Sequence, residues 1–173
     1  NLLANVDSID YTITIDGDTL KPNSDGIYTP TFGTYIIKAS KPGYRCFRTE
    51  LTIADDAEGD QNCIIEMVKA GENGWDGTTL SEAELKDGVY QISNGAELAW
   101  FAAKVNGGDY TIAAKLVNDI DLCGYDWTPI GGDKSKLAYQ GIFEGDGHTV
   151  DGLYIHNKKT YQATQDSNKS WSA

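Results

Sequence analysis

The chain has 173 residues, a length that suits one large or two small domains, and 40% of them are hydrophobic, which is enough to bury cores. Its formal net charge of −12 argues against a nucleic-acid partner, which requires clustered positive charge, and it disfavours anionic membrane surfaces for the same reason. No apolar run reaches the roughly 18 residues of a spanning helix, so we expect no membrane insertion.

The N-terminal part, residues 1–70, predicts a small all-β unit. Strand-like runs are separated by turns rich in Gly, Pro and Asp, a pattern typical of a β-sandwich. The runs cover residues 11–15, 26–28, 34–39, 45–53 and 62–69. We expect two sheets to bury these faces against each other: Ile13, Ile15, Tyr35, Ile37, Leu51, Ile53, Ile65 and Met67.

Within this unit the segment GTYIIKASKPGYRCFRTELTI, residues 33–53, resembles the PEGA-type and related Ig-like spacer modules of surface proteins. The resemblance implies a strand, a turn at Gly43 and a second strand. It also implies a role in holding other domains away from the cell.

Three cysteines make an odd count, which excludes a closed disulfide framework. Strand alternation places Cys46 and Cys63 on opposite faces, and this arrangement disfavours a bridge between them. We therefore expect small thiols that are buried or half-buried.

Residues 71–79 predict a linker, because Gly71, Gly74 and Gly77 interrupt any apolar period. Trp75 lies in its middle, and we expect this side chain to anchor the junction by packing on the second domain. The alternative is a role in stacking on a ligand.

The second domain, residues 80–173, begins with a short strand at 89–92 and then a helix. Asn94 is a suitable N-cap and Glu97 completes a capping-box-like pairing. The helix has one apolar face, formed by Leu98, Phe101, Ala102 and Val105, and it ends at 106–108. A single helix with such a face is expected to cover the open end of a β-helix and to block pairing at its first strand.

Strand-like segments follow the helix, separated by glycines. They cover residues 111–116, 118–122, 139–143, 148–150 and 153–155. Ile120 and Leu122 are expected to point inward, with Asp119 and Asp121 outward. Tight corners are predicted at Gly141, Gly145, Gly147 and Gly152, where a side chain would clash with a stacked coil. The polar residues 157–173 form either a loop or a cover over the last coil.

Three runs together carry a second resemblance: DGVYQISNGAELAWFAAKVN, KLVNDIDLCGYDWTPIG and YQGIFEGDGHTVDGLYI, within residues 87–155. They resemble the opening of the GLUG-repeat regions of large bacterial surface proteins, which include adhesin-like proteins and non-catalytic parts of immunoglobulin A-cleaving metalloproteases. The resemblance implies the helix-capped first coils of a right-handed parallel β-helix. The Gly-Leu-Phe-Gly segment of that family is absent before Ala173, so we expect a truncated repeat region.

Catalytic groups are not indicated. Carbohydrate-cleaving β-helices bring carboxylates together with Arg or Lys, but the second domain has no arginine, since Arg45 and Arg48 are the only two in the chain. We interpret the carboxylates of Asp119, Asp121 and Glu144 as solvated groups of turns and strands. The protein is expected not to be an enzyme.

No metal or cofactor motif is complete. The two histidines, His148 and His156, have no zinc-site spacing, and no phosphate-binding glycine loop leads into a helix. We expect no cofactor; the alternative is a structural calcium ion at Asp16 and Asp18 or at Asp119 and Asp121.

Two classes of function stay open. The first is a non-catalytic extracellular module of a bacterial surface protein, secreted or cell-surface, serving as a spacer and in adhesion or display. The second is a carbohydrate-binding module, or the non-catalytic part of a secreted hydrolase or protease, in which Tyr125, Trp127 and Tyr139 stack on sugar rings. The expected partners are a host glycan or matrix protein and adjoining domains of a longer parent chain. We expect a longer parent chain because the sequence begins at Asn1 without Met or a signal peptide.

Overall fold

The computed structural model describes residues 2–131 and 138–155, and the segment 157–173 therefore lies outside the described residues. The protein is mainly β, as predicted, with the helix α1 at Gly95–Asn106. Its strands are β1 Leu2–Ala4, β2 Asp10–Ile15, β3 Asp18–Thr19, β4 Gly33–Ser40, β5 Phe47–Ile53, β6 Cys63–Ile65, β7 Glu84–Lys86, β8 Val89–Ile92, β9 Ala113–Leu116, β10 Ile120–Asp121, β11 Phe143–Glu144 and β12 Val150–Asp151.

The first unit is sandwich-like. An antiparallel sheet of order β3-β2-β4-β5 faces a parallel pair, β1 and β6, across an apolar core. The predicted inward faces are largely confirmed: six of the eight residues are buried, and Ile15 and Leu51 are partly buried. Ala39 and Cys63 complete the buried set.

Three strands of this unit differ from the prediction, and one of them is β3, which follows the Asp16-Gly17 turn and was not predicted. The segment 26–28 is not a strand, because Asn23 Oδ1 accepts hydrogen bonds of 2.9 Å from the backbone N–H groups of Asp25 and Ile27 and closes a loop. The strand β1 was not predicted. It is extended by Asn5, whose amide donates to Met67 O and accepts from Met67 N, as a strand backbone would.

In the second unit successive passes of the chain pair in parallel. β8 pairs with β9 and β9 with β11, while β10 pairs with β12. Isolated parallel bridges join Gly74 to Asp121 and Asp126 to Tyr154. Residues 113–126 therefore form the middle coil of three. On one side they pair with β8 and the segment around Gly74, and on the other side they pair with residues 143–154.

Helix α1 begins and ends as its sequence predicts, with one shift in the cap. Asn94 Oδ1 accepts from Glu97 N at 3.0 Å, but the Glu97 carboxylate accepts from Ser93 N at 2.6 Å, not from Asn94. The predicted apolar face is confirmed, because all four of its residues are buried. The edge of the first parallel strand is covered by β7, which pairs antiparallel with β8, and not by the helix.

The predicted glycine corners divide into two kinds. A Cβ on Gly141 would lie 2.1 Å from Ile112 O, and one on Gly152 would lie 2.8 Å from Cys123 N, so both positions require close approach of the neighbouring coil. Gly145 and Gly147 have no atom within 4 Å of an added Cβ. Only the first two therefore exclude a side chain by stacking.

Candidate functional site at the junction of two units

The segment 71–79 forms part of the second unit. Trp75 N donates to Asp121 O at 2.9 Å, and the indole Nε1 donates to Thr79 O at 2.8 Å. The indole is buried in the second core, which confirms the predicted anchor. It fits because Gly95 has no side chain: a Cβ there would lie 2.5 Å from Trp75 Cβ.

Asp76 holds the turn that follows this anchor. Its Oδ1 accepts from the backbone N–H groups of Thr78 at 2.8 Å and Thr79 at 2.7 Å, and its Oδ2 accepts from the Thr79 hydroxyl at 2.5 Å. Desolvation alone would raise the pKa of this carboxyl, but the hydrogen bonds favour the charged form and lower the pKa to about 2. The turn is therefore stabilised by an ionised Asp76.

Backbone and hydroxyl groups join the first unit to the second. Cys46 N donates to Cys123 O at 2.8 Å, and the Tyr125 hydroxyl lies 2.9 Å from Tyr44 O, to which it donates. Tyr125 is buried, so this bond is shielded from water. Its pKa is raised by burial, and the phenol stays a donor at neutral pH.

Both arginines of the chain lie at this junction. Arg45 Nη2 contacts Asp121 Oδ2 at 2.6 Å. Arg48 donates to Gly124 O at 2.6 Å and contacts Asp126 Oδ1 at 2.8 Å. Every acceptor belongs to the second unit, so the positive charges of the β5 end of the first unit match carboxylates of the second.

Two further contacts tighten this arrangement. The guanidinium carbon of Arg48 lies 3.5 Å from the centre of the Tyr154 ring, a cation–π geometry, and Lys38 forms an ion pair with Asp126. An exposed ion pair typically contributes only about 0.2–1 kcal/mol. The Arg48 side chain is 17% exposed and makes several contacts at once. These contacts favour one fixed orientation of the first unit relative to the second.

The three thiols are free, and two of them belong to this region. Burial raises the pKa of Cys46, and burial together with the Asp121 carboxylate raises that of Cys123 to about 11. Both thiols stay protonated near neutral pH and are poor nucleophiles. Cys63 is buried in the core of the first unit, so the expectation of buried or half-buried thiols is confirmed.

The aromatic residues proposed to bind sugars fall into two groups. Tyr125 is buried, and the half-buried Trp127 packs edge-on against Trp75 with ring centres 5.7 Å apart. Tyr139 packs edge-on against Phe101 at 6.0 Å, and its hydroxyl lies 2.8 Å from Ile112 O, to which it donates. The rings of Tyr125 and Trp127 both contact Trp75, whereas the Tyr139 ring contacts Phe101 on the same core.

A groove of about 350 Å³ lies beside Trp127. Its floor is apolar, with Ala99 and Ala102 from α1, and exposed Leu80 forms one wall. The hydroxyls of Thr78 and Thr128 lie along the same groove. It therefore combines two tryptophan side chains, Trp75 and Trp127, with apolar alanines and polar atoms.

The carboxylates proposed for calcium have other partners or positions. Asp119 accepts from Thr149 N at 2.9 Å, and this bond, followed by the contact with His148, lowers its pKa. Asp121 binds Arg45 and Cys123 N. Asp16 and Gly17 form the two-residue turn between β2 and β3 with positive φ. Within residues 2–131 and 138–155, no three His, Cys, Asp or Glu side chains cluster as a metal site.

The residues that sequence reasoning missed are the charged groups of the junction, Lys38, Arg45, Arg48 and Asp126. One signal was available, since the only two arginines of the chain stand three residues apart. Their partners lie 76 and 78 positions away in the sequence, and no local pattern connects them.

Comparison with protein-family models, with curated proteins and with solved structures found no significant match. Among the described residues, no helix is long and apolar enough to cross a membrane.

Proposed function

We propose that this chain is a non-catalytic extracellular module of a bacterial surface or adhesin-like protein, in which two units joined in a fixed orientation act as a spacer. The observation that carries the proposal is the junction, where Arg48 binds Gly124 O, Asp126 and the Tyr154 ring at once. A spacer must transmit the orientation of one domain to the next, and a flexible linker would not do so.

The proposal includes the finer fold assignments. The antiparallel sheet with its Lys41-Pro42-Gly43 turn supports a PEGA-like or Ig-like unit, and the parallel registers of β8, β9 and β11 support the opening coils of a β-helix. Ile142, Leu153 and Ile155 are exposed on the last described coil. Such a surface suits the stacking of further coils in a longer parent chain.

The chemistry of the described residues supports a non-catalytic role. Asp121 and Asp126 are engaged by cations of the first unit, and the thiols of Cys46 and Cys123 are kept protonated. A catalytic acid, base or nucleophile would need a free reacting atom in a cleft. The polar groups of the junction instead bind each other.

The location is tested by labelling intact bacteria that make the protein with antibodies raised against the purified chain. We expect intact cells to be labelled and mild surface proteolysis to remove the signal. Labelling that requires permeabilised cells would contradict the proposed surface or secreted location, provided that an intracellular marker stays unlabelled in the intact cells.

A second function, binding of a glycan, is favoured by the groove beside Trp127. Aromatic rings pack well on the C–H faces of sugars, and hydroxyl groups along the rim can bind sugar hydroxyls.

A glycan array and a panel of matrix proteins test this function with the native chain. Trp127→Ala is expected to abolish a sugar signal, whereas Trp100→Ala removes a half-buried tryptophan outside the groove and serves as the control. Equal loss in both variants would argue against the groove.

A further inference from the structure

The chain contains three Asn-Gly pairs, at residues 73–74, 94–95 and 106–107. In such a pair the backbone nitrogen of the glycine can attack the side-chain amide carbon of the asparagine, because the glycine has no side chain that would hinder the approach. The reaction requires an asparagine side chain that is free to rotate toward this nitrogen. The three pairs differ in this respect.

Two of the pairs are held by hydrogen bonds at the ends of α1. Asn94 caps the helix, and its Oδ1 accepts from Glu97 N at 3.0 Å. At the other end Asn106 Oδ1 accepts from Gly131 N at 2.9 Å, and its Nδ2 donates to Pro129 O at 3.1 Å. Each side chain leaves these partners only when the helix end unfolds locally, so both pairs are protected in the folded chain.

Asn73 has no such protection. It is exposed in the turn of residues 71–74, and within the part of the chain that the structure describes its side-chain amide has no hydrogen-bond partner. The attacking nitrogen is held by one turn bond, from Gly74 N to Gly71 O at 3.0 Å. Opening of a single exposed turn costs much less than unfolding of a helix end.

The reaction at this pair exchanges ammonia for water. The Gly74 nitrogen loses its proton and forms a bond to Asn73 Cγ, and the side-chain nitrogen leaves as ammonia. Water then opens the resulting five-membered imide. Addition of water at Cγ gives aspartate, whereas addition at the main-chain carbonyl gives isoaspartate, in which the main chain continues through Cβ and Cγ.

Asn73 lies between the points at which this segment is attached to the two units. Before it, Ala70 N donates to Gly43 O of the first unit at 2.9 Å. After it, Trp75 N donates to Asp121 O of the second unit, also at 2.9 Å. Isoaspartate adds one atom to the main chain between these two attachments, and it therefore changes the length of the segment that joins the units.

We propose that Asn73 is a site of spontaneous deamidation, and that its isoaspartate product loosens the connection between the two units. Each conversion also makes the net charge of the chain more negative by one. The site is separate from the arginine contacts and from the groove beside Trp127, and its chemistry does not depend on the spacer function.

The test incubates the folded full chain in a mildly alkaline buffer and follows each pair by mass spectrometry. Trypsin cleaves after lysine and arginine, so the three pairs fall in different peptides, residues 70–86, 87–104 and 105–115. We expect the first peptide to be deamidated at least about tenfold faster than the other two, because these require local unfolding. Comparable rates for the three peptides of the folded chain would overturn the proposal.

The same incubation in urea is the control. In the unfolded chain all three pairs lack their partners, and we expect their rates to agree within about threefold. A preference for Asn73 that is as large in urea as in the folded chain would show that the local sequence causes it, and this result would contradict the protection by structure.

The effect on the connection is measured on the deamidated chain, which is separated from the native chain by ion exchange and whose share of isoaspartate is determined by isoaspartyl methylation. Asn73→Asp is the matched control, because it adds the same charge and keeps a main chain of normal length. We expect a lower urea midpoint for the isoaspartyl form and an unchanged midpoint for Asn73→Asp, since Asn73 is exposed. An unchanged midpoint of the isoaspartyl form, or an equal fall in Asn73→Asp, would contradict the proposed loosening.

Discussion

The two units of this protein differ in how they close their cores. The first places a four-stranded sheet against two three-residue strands, and an open cleft of about 500 Å³ lies beside them. The second packs α1 and Trp75 against stacked coils, and its core includes Phe101, Val105 and Leu122 with no measurable exposure. A helix with a broad apolar face covers a small sheet completely, whereas two short strands do not.

The difference has a consequence for function. A tightly filled unit suits a structural role, because its shape is determined by close packing. The second unit is therefore expected to be the more rigid of the two, and the arginine contacts of the junction join it to the first.

Removal of a core phenylalanine should have the largest effect and should distinguish the two units. Phe101 is fully buried and contacts the rings of Tyr90, Tyr139 and Phe143, whereas Phe47 of the first unit is half-buried. We expect Phe101→Ala to lower the free energy of unfolding by about 4 kcal/mol and Phe47→Ala by about 1–2 kcal/mol. Urea denaturation measures both. Equal losses would contradict the greater contribution of the fully buried Phe101 ring.

Stacking of coils in the second unit can be tested with a pair of glycines. A Cβ at Gly141 would meet the backbone carbonyl of Ile112, which cannot move without displacing a strand, whereas Gly145 is surrounded by open space. Gly141→Ala should cost about 2–3 kcal/mol of unfolding free energy, and Gly145→Ala less than about 0.5 kcal/mol. Thermal denaturation of the two variants gives the comparison, and a tolerated alanine at 141 would argue against the close stacking.

The junction can be weakened without disturbing either core. Arg48→Ala removes the bonds to Gly124 O and Asp126 and the contact with Tyr154, at an expected cost of about 1–2 kcal/mol. Lys86→Ala, at an exposed residue of β7, is the control and should change stability by less than about 0.5 kcal/mol. If the two units no longer unfold together in Arg48→Ala, we expect its denaturation curve to show two transitions. A single unchanged transition in Arg48→Ala would contradict the importance of these contacts.

The smallest effect concerns pH and the turn of Asp76. Because its pKa in the folded protein, about 2, lies below the value of about 3.9 expected for the unfolded chain, its stabilisation is present above about pH 4 and is lost as the pH falls toward 2. Asp76→Asn should remove this part of the acid dependence and cost about 1 kcal/mol or less at pH 7, since the residue is exposed. Asp56→Asn, in the exposed loop after β5, is the control, and the measurement is urea denaturation between pH 2 and pH 7. Identical acid dependence in both variants would contradict the role of the turn.

Local patterns were enough to predict the helix and the main sheet. The alternation from Tyr11 to Ile15 and the caps of α1 act within a few residues, and the structure confirms them with the cap shifted by one residue at Ser93. The short strands were harder. β7 is exposed at every position and has no apolar period, and the local signal for it is the Asp87-Gly88 turn that leads to β8, which is typical of a hairpin.

Contacts between segments that are distant in sequence could not be predicted from local patterns. The strand β1 exists because it pairs with β6, about sixty residues later in the chain, and the register of that pair is not visible in either sequence alone. The same holds for the arginines of the junction: their partner Asp121 was predicted to be solvated, and no local pattern pointed to Asp126. Spacing in sequence likewise does not show that the Tyr139 ring packs against Phe101 while the Trp127 ring packs against Trp75.

The most direct test of a fixed junction is the measurement of residual dipolar couplings from the backbone amides of both units in a weakly aligned sample of the native chain. The account predicts that one alignment tensor fits the amides of β4 and β5 together with those of β8, β9 and α1. It also predicts that the double variant Arg45→Ala/Arg48→Ala requires two tensors. Two different tensors in the native chain would show that the units reorient independently, and this result would contradict the proposed rigid spacer.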